Sequence, residues 1–127
     1  MQKDSILKSA QHSIKKWKKH LGFVGWKIDA KITTFNRADG YPQQGDFRMN
    51  FSKKRATILL GTNLRWSVEE IVLHELVHIM VWPIDQQAIS AIRKLPRQKQ
   101  AKAEDKFLGE LEAVVDQITK SFLRVQN

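Results

Sequence analysis

Hydrophobic positions recur along this chain with two different periods, and the switches between them divide it into elements. From Asp4 to His20, the residues Ile6, Ala10, Ile14, Trp17 and then Leu21 return every three or four positions with lysines on the opposite side. That spacing predicts an amphipathic helix, closed by Gly22. From Trp26 to Thr34 the period becomes two: Trp26, Ile28, Ala30 and Ile32 alternate with Lys27, Asp29, Lys31 and Thr33, as in a strand with one buried face. Asn36 to Gly45 is rich in turn formers and reads as a long exposed hairpin loop. Phe47, Met49 and Phe51 alternate again, Ser52-Lys-Lys-Arg55 makes a tight turn, and Ala56-Thr-Ile-Leu-Leu60 forms a third strand. A three-stranded antiparallel meander is the expected sheet, and Gly61-Thr-Asn63 connects it to the next helix.

That helix, in the stretch from Trp66 to Pro83, organises the rest. Ser67 followed by Glu70 makes a capping box, with Trp66 and Ile71 at the hydrophobic-staple positions. Pro83 has no N–H to give and disfavours helical geometry before it, so this helix is expected to stop at Val81 or Trp82. Asp85 to Lys94 reads as a short helix, Leu95 to Gln100 as a basic connection, and Lys99 to Arg124 as a final helix. The apolar stripe of that last helix is Phe107, Leu111, Val114, Val115, Ile118 and Phe122. The elements describe a single α+β domain covering residues 1–127, with an N-terminal helix, a three-stranded sheet, the middle helix, a short helix and a long final helix.

The middle helix carries the chemistry. His74-Glu75-Leu76-Val77-His78 lies among Ile71, Val72, Leu73, Ile79, Met80 and Val81, apolar nearly all round, so the helix is expected to be buried. Ionisable groups in such surroundings need strong compensation. His74 and His78, one turn apart, place two imidazoles where they can meet one ion at roughly 2.0–2.1 Å, and Glu75 stands about 100° round the helix beside it. His12 and His20 fall outside the apolar stripe of the first helix and are expected to face solvent.

Two imidazoles are too few for a catalytic zinc, which usually takes three protein ligands plus water. The chain has no Cys, so any site is built from nitrogen and oxygen. A third His in the pattern H-E-x-x-H-x-x-G-x-x-H is absent, because Val81 and Ile84 stand at those places. The third ligand is therefore expected from the last helix, where Glu110 and Glu112 are the candidates. Glu112 is bordered by Leu108, Val115, Thr119 and Leu123, whereas Glu110 is bordered by Lys106, Gln117 and Ser121; the apolar setting favours Glu112. Asp116, one turn beyond, is placed to accept the outward N–H of a ligating His.

With these two motifs, His74-Glu-Leu-Val-His78 and Glu112-Ala-Val-Val-Asp116, the chain resembles the gluzincin zinc metallopeptidases, of which thermolysin is the familiar member. In size it is similar to minimal gluzincins and to small phage and prophage metallopeptidase-like proteins, and the likeness covers roughly Ala56 to Phe122. The resemblance implies a zincin-like minimal domain in which His74, His78 and Glu112 bind zinc, Glu75 is the catalytic base and Asp116 supports a ligand. It further implies peptide or protein substrates. The connection between the motifs, residues 79–111, is longer than in thermolysin-like enzymes, and no second lobe is evident.

On this reading Glu75 takes a proton from the attacking water and passes it to the leaving amine. Tyr41, in the long loop, is a candidate donor to the oxyanion, and the strand Ala56 to Leu60 is expected to offer an open edge to an extended peptide. Composition adds a rival. The net charge is +9, and lysines crowd the first helix while Arg93, Lys94, Arg97, Lys99 and Lys102 crowd the later connection. Aromatics are not interleaved with these runs as a base-stacking surface requires. The alternative is thus a zinc-stabilised basic module that binds nucleic acid or a protein partner without catalysis; a metal-dependent nuclease fits less well, since such sites favour clustered carboxylates and magnesium. No apolar run approaches a membrane span and the start of the chain lacks the core of a signal peptide, so a cytoplasmic protein is expected, and a phage-encoded one is what the resemblance implies.

Overall fold

A computed structural model of the chain describes residues 2–126, with α1 at Lys3–His20, β1 at Lys27–Ile32, β2 at Gly45–Asn50, β3 at Arg55–Leu60, α2 at Val68–Met80, α3 at Trp82–Ile92 and α4 at Arg97–Gln126. The architecture is α+β, four helices and one three-stranded sheet. The chain divides between Leu76 and Val77 into two compact units, and the division falls inside α2. No described helix is long and apolar enough to cross a membrane.

In the first unit, α1 buries the face its periodicity marks: Ile6, Ala10, Ile14 and Trp17 are inside. It ends as a Schellman motif, with Phe23 N–H bonding to Lys18 O and Gly22 N–H to Lys19 O. Gly22 takes φ +74°, which only glycine adopts freely. Trp17 Nε1 and Lys16 Nζ both donate to Glu69 Oε2, at 3.0 and 2.9 Å, and so tie α1 to the first turn of α2.

The sheet is not the expected meander. Its order is β1-β3-β2, with β3 central, parallel to β1 and antiparallel to β2. Only the β2–β3 connection is a hairpin; the segment between β1 and β2 carries the chain across to the far side of the sheet. Its length permits this, and alternation along β1 says nothing about which strand lies beside it. One face carries Ile28 and Ala30, Ala56, Ile58 and Leu60, and Phe47 and Met49; the other carries Lys27, Asp29, Arg55, Thr57, Arg48 and Asn50. Because β3 is bonded on both sides, the open strand edge expected at Ala56–Leu60 does not exist there. The edges belong to β1 and β2.

α2 begins as a capped helix, with Glu70 N–H bonded to Ser67 Oγ at 3.1 Å. Val72, Leu73, Leu76, Val77 and Ile79 are fully buried, in keeping with the all-round apolar sequence. Its approach to β2 is close: a Cβ at Gly45 would stand 2.6 Å from Ile71 Cγ2.

In the second unit, α2 ends at Met80, and α3 begins at Trp82 rather than at the expected Asp85. Pro83 sits in the first turn of α3, where its missing N–H has no partner to lose and its fixed φ suits the helix. α4 is a single 30-residue helix from Arg97, so it takes in the later half of the connection expected at Leu95–Gln100. Val115 and Thr119 are its buried positions, whereas Val114, expected in the apolar stripe, is half exposed. Thr119 satisfies its buried hydroxyl by bonding to Val115 O at 2.8 Å.

Candidate metal centre

His74 and His78 stand one turn apart on α2. Both lie on one continuous helix, so helical geometry sets their Cβ atoms on the same face. His74 is 6% exposed and His78 is half-buried. Within the second unit, Glu112 on α4 brings Oε2 to 3.0 Å from His78 Nε2. One ligand atom each from His74, His78 and Glu112 lies within 4.8 Å of the others, the spacing of a group that can hold a metal ion. A tetrahedral ion with bonds of 2.0–2.1 Å needs its ligand atoms roughly 3.3 Å apart. The His78–Glu112 edge is already near that length.

The donor set is two imidazole nitrogens and one carboxylate oxygen. It suits zinc and other borderline transition ions, and suits calcium or magnesium poorly, because these prefer all-oxygen shells. Glu112 keeps 57% of its side chain in water, so its selection over the exposed Glu110 rests on its reach to His78 rather than on burial. Asp116 lies one turn further along α4 and is half-buried.

Glu75, between the two histidines in sequence, is 7% exposed. Its Cγ lies 3.6 Å from the Cβ position of Gly45, so the side chain runs along the start of β2, where glycine leaves room for it. Trp66 stands beside His74 with ring centroids 5.9 Å apart in an edge contact, and 40% of the residue remains exposed. Gln44 holds this part of the chain: its Oε1 accepts from Trp66 N–H at 2.8 Å and from Arg65 N–H. In the second unit, Asp85 of α3 is lifted above the ordinary carboxylate value by partial burial, and the charge of nearby His78 draws it back.

Sequence reasoning did not single out Gly45, Trp66 or Asp85. Gly45 looked like the end of a loop and Trp66 like a staple residue. Asp85 was placed at the start of the following helix, with nothing to show that it comes near His78. Tyr41 is exposed, with the Arg37 guanidinium 5.2 Å over its ring and its N–H bonded to Asp39. Its contacts are thus formed within its own loop. His12 and His20 are exposed, as their positions on α1 imply.

Comparison with protein-family models, curated proteins and solved structures finds no match to this chain.

Proposed function

We propose that this chain is a zinc-dependent metallopeptidase. The observation that carries the reading is the convergence of His74, His78 and Glu112, with buried Glu75 on the same helix turn as the two imidazoles. Zinc, when bound there, supplies Lewis acidity toward a water molecule and a scissile carbonyl. His74 and His78 each give a ring nitrogen and Glu112 a carboxylate oxygen, and Asp116 supports a ligand ring. Glu75 is the general base: it removes a proton from the attacking water and hands it to the leaving amine. Tyr41 is retained as a donor to the oxyanion, reached by movement of its loop.

Since β3 is paired on both sides, the edge proposed here for the substrate is that of β2. Among the described residues β2 pairs on one side only, with β3, and the Cβ position of Gly45 at its start lies 3.6 Å from Glu75 Cγ. An extended peptide added along the free edge of β2 would pass the catalytic base with its backbone hydrogen-bonded, as in strand addition. This favours peptide over simple amide or ester substrates.

The test is hydrolysis of casein and of a peptide library by zinc-loaded protein, compared with Glu75→Gln. The variant should keep its zinc and lose turnover by at least about 100-fold, as expected for loss of a general base. Cleavage by the variant at the wild-type rate would remove Glu75 from the mechanism.

A further inference from the structure

Where α1 meets the segment that leads into α2, a concavity of about 590 Å³ opens that the metal ligands do not line. Ser13 and Lys16, with their neighbours on one face of α1, border it on one side, and Asn63 and Trp66 border it on the other. Val68 and Glu69, the first residues of α2, complete it. All of these residues lie in the first unit, as His74 does.

Ser13 is 5% exposed, and among the described residues its hydroxyl has no hydrogen-bond partner. A helical Ser or Thr can satisfy its hydroxyl on the carbonyl one turn back, as Thr119 and Ser121 do on α4. Ser13 does not, and the space it borders is the cavity. A hydroxyl enclosed in this way is unfavourable until a ligand bonds to it. The start of α2 supplies more donors. Ser67 Oγ is taken by Glu70 N–H, which leaves the N–H groups of Val68 and Glu69 with no carbonyl behind them in the helix.

Charge selects among ligands. Glu69 is the one acid in the lining, and its Oε2 already accepts from Lys16 Nζ and from Trp17 Nε1. Lys16 keeps further N–H bonds to give, and the N-terminal end of the α2 dipole adds partial positive charge. A cation would be repelled by both, and an apolar side chain would leave Ser13 unbonded. A group that only accepts, and carries negative charge, fits every donor. In a peptide that group is a carboxylate.

The cavity adjoins the metal centre. Trp66 lines it and also stands beside His74, with ring centroids 5.9 Å apart. Ser67 and His74 are seven residues apart, hence on one face of α2 and about 10 Å apart along its axis. An extended peptide covers that length in about three residues. Gln44, just before β2, accepts from Trp66 N–H at 2.8 Å, so a peptide that leaves the β2 edge past Gly45 comes to Trp66 and the cavity.

We propose that this cavity is a specificity subsite for a carboxylate of the substrate peptide, with Ser13, Lys16 and the N–H groups of Val68 and Glu69 as its donors. Its place as a substrate subsite rests on the peptidase reading above; carboxylate binding as such does not.

Binding is measured first, without turnover, from amide nitrogen–proton NMR spectra of full-length protein titrated with acetyl-glutamate amide, acetyl-glutamine amide or inorganic phosphate. The glutamate compound should shift the Trp66 indole N–H and the amides of Ser13, Val68 and Glu69, and bind at least about tenfold more tightly than the glutamine compound. Ser13→Ala, whose melting temperature is checked first, should weaken it at least about fivefold. Asn63→Asp, which sets a like charge at the cavity, should weaken it at least about tenfold, and Asn50→Asp on the sheet less than about threefold. Turnover is measured next on zinc-loaded protein, with quenched peptides carrying Glu or Gln at each position around the cleaved bond and a free or amidated C-terminus. The ratio kcat/KM should rise at least about tenfold for Glu about three residues from that bond, or for the free C-terminus if the carboxylate is that of the chain end. Equal binding of the glutamate and glutamine compounds would overturn the proposal, as would tighter binding of phosphate or equal losses from Asn50→Asp. Turnover indifferent to every carboxylate would also overturn it. Carboxylate binding with no turnover of any peptide would uphold the site and overturn the peptidase reading instead.

Discussion

Gly45 shows how much one missing side chain decides. An alanine there would drive its methyl to 2.6 Å from Ile71 Cγ2, a branched group held in the core that cannot swing aside. Gly45→Ala should therefore cost about 1–3 kcal/mol in a urea titration, the range for overpacking. A neutral result would mean that β2 and α2 are less closely packed than described. Trp66 offers a spectroscopic handle, because its ring lies 5.9 Å from that of His74. Loading with cobalt should quench part of the tryptophan emission, and Trp66→Phe should remove most of that quenching while leaving cobalt affinity within about threefold. Quenching that survives in Trp66→Phe would place the metal elsewhere.

The ion pair between α1 and α2 is legible as a pH effect at the scale of elements. Glu69 is held below its ordinary value of 4.5, chiefly by the hydrogen bond from Lys16 and also by Trp17. A carboxylate whose value falls on folding stabilises the protein above its unfolded value, and that contribution is lost as pH drops through the folded one. Glu69→Gln should thus lower the melting temperature near neutral pH, with the difference closing as pH falls below about 4. The effect should be small, since both partners are about one-third exposed and screened by solvent. A gap that widens toward acid would contradict the assignment.

Which elements exist was readable from the chain, because periodicity depends only on which faces are buried. Partner order was not. Alternation along β1 and β2 is the same whether they are neighbours or lie on opposite sides of β3. One clue was present in Ile58-Leu59-Leu60, apolar on both faces, which marks a central strand rather than an edge. Pro83 misled for a related reason: its steric rule forbids a helix interior but permits a first turn, and only packing chose between them. At the site, the spacing of His74, Glu75 and His78 was legible because a helix fixes it. Glu112 was chosen by an apolar neighbourhood that proves only partial, since much of its side chain faces water. The closeness of Gly45 and Trp66 to that site depends on tertiary packing and left no mark in the spacing.

For the whole molecule, the proposed zinc site predicts linkage between zinc and stability. Binding only to the folded state stabilises it by about 2.7 kcal/mol when free zinc is 100-fold above its dissociation constant. Chelation should lower the melting temperature of wild type accordingly, and should leave Glu112→Ala nearly unchanged at the same zinc concentration. The resemblance to gluzincins raised in the sequence, the donor set and the buried Glu75 all bear on one claim, that the two imidazoles and this carboxylate grip one ion. Elemental analysis of purified protein after zinc loading and desalting tests it most directly. The account predicts about one zinc per chain in wild type and in Glu75→Gln, and less than about a tenth of that in Glu112→Ala and His78→Ala. Zinc retained in full by Glu112→Ala, or absent from wild type, would contradict it.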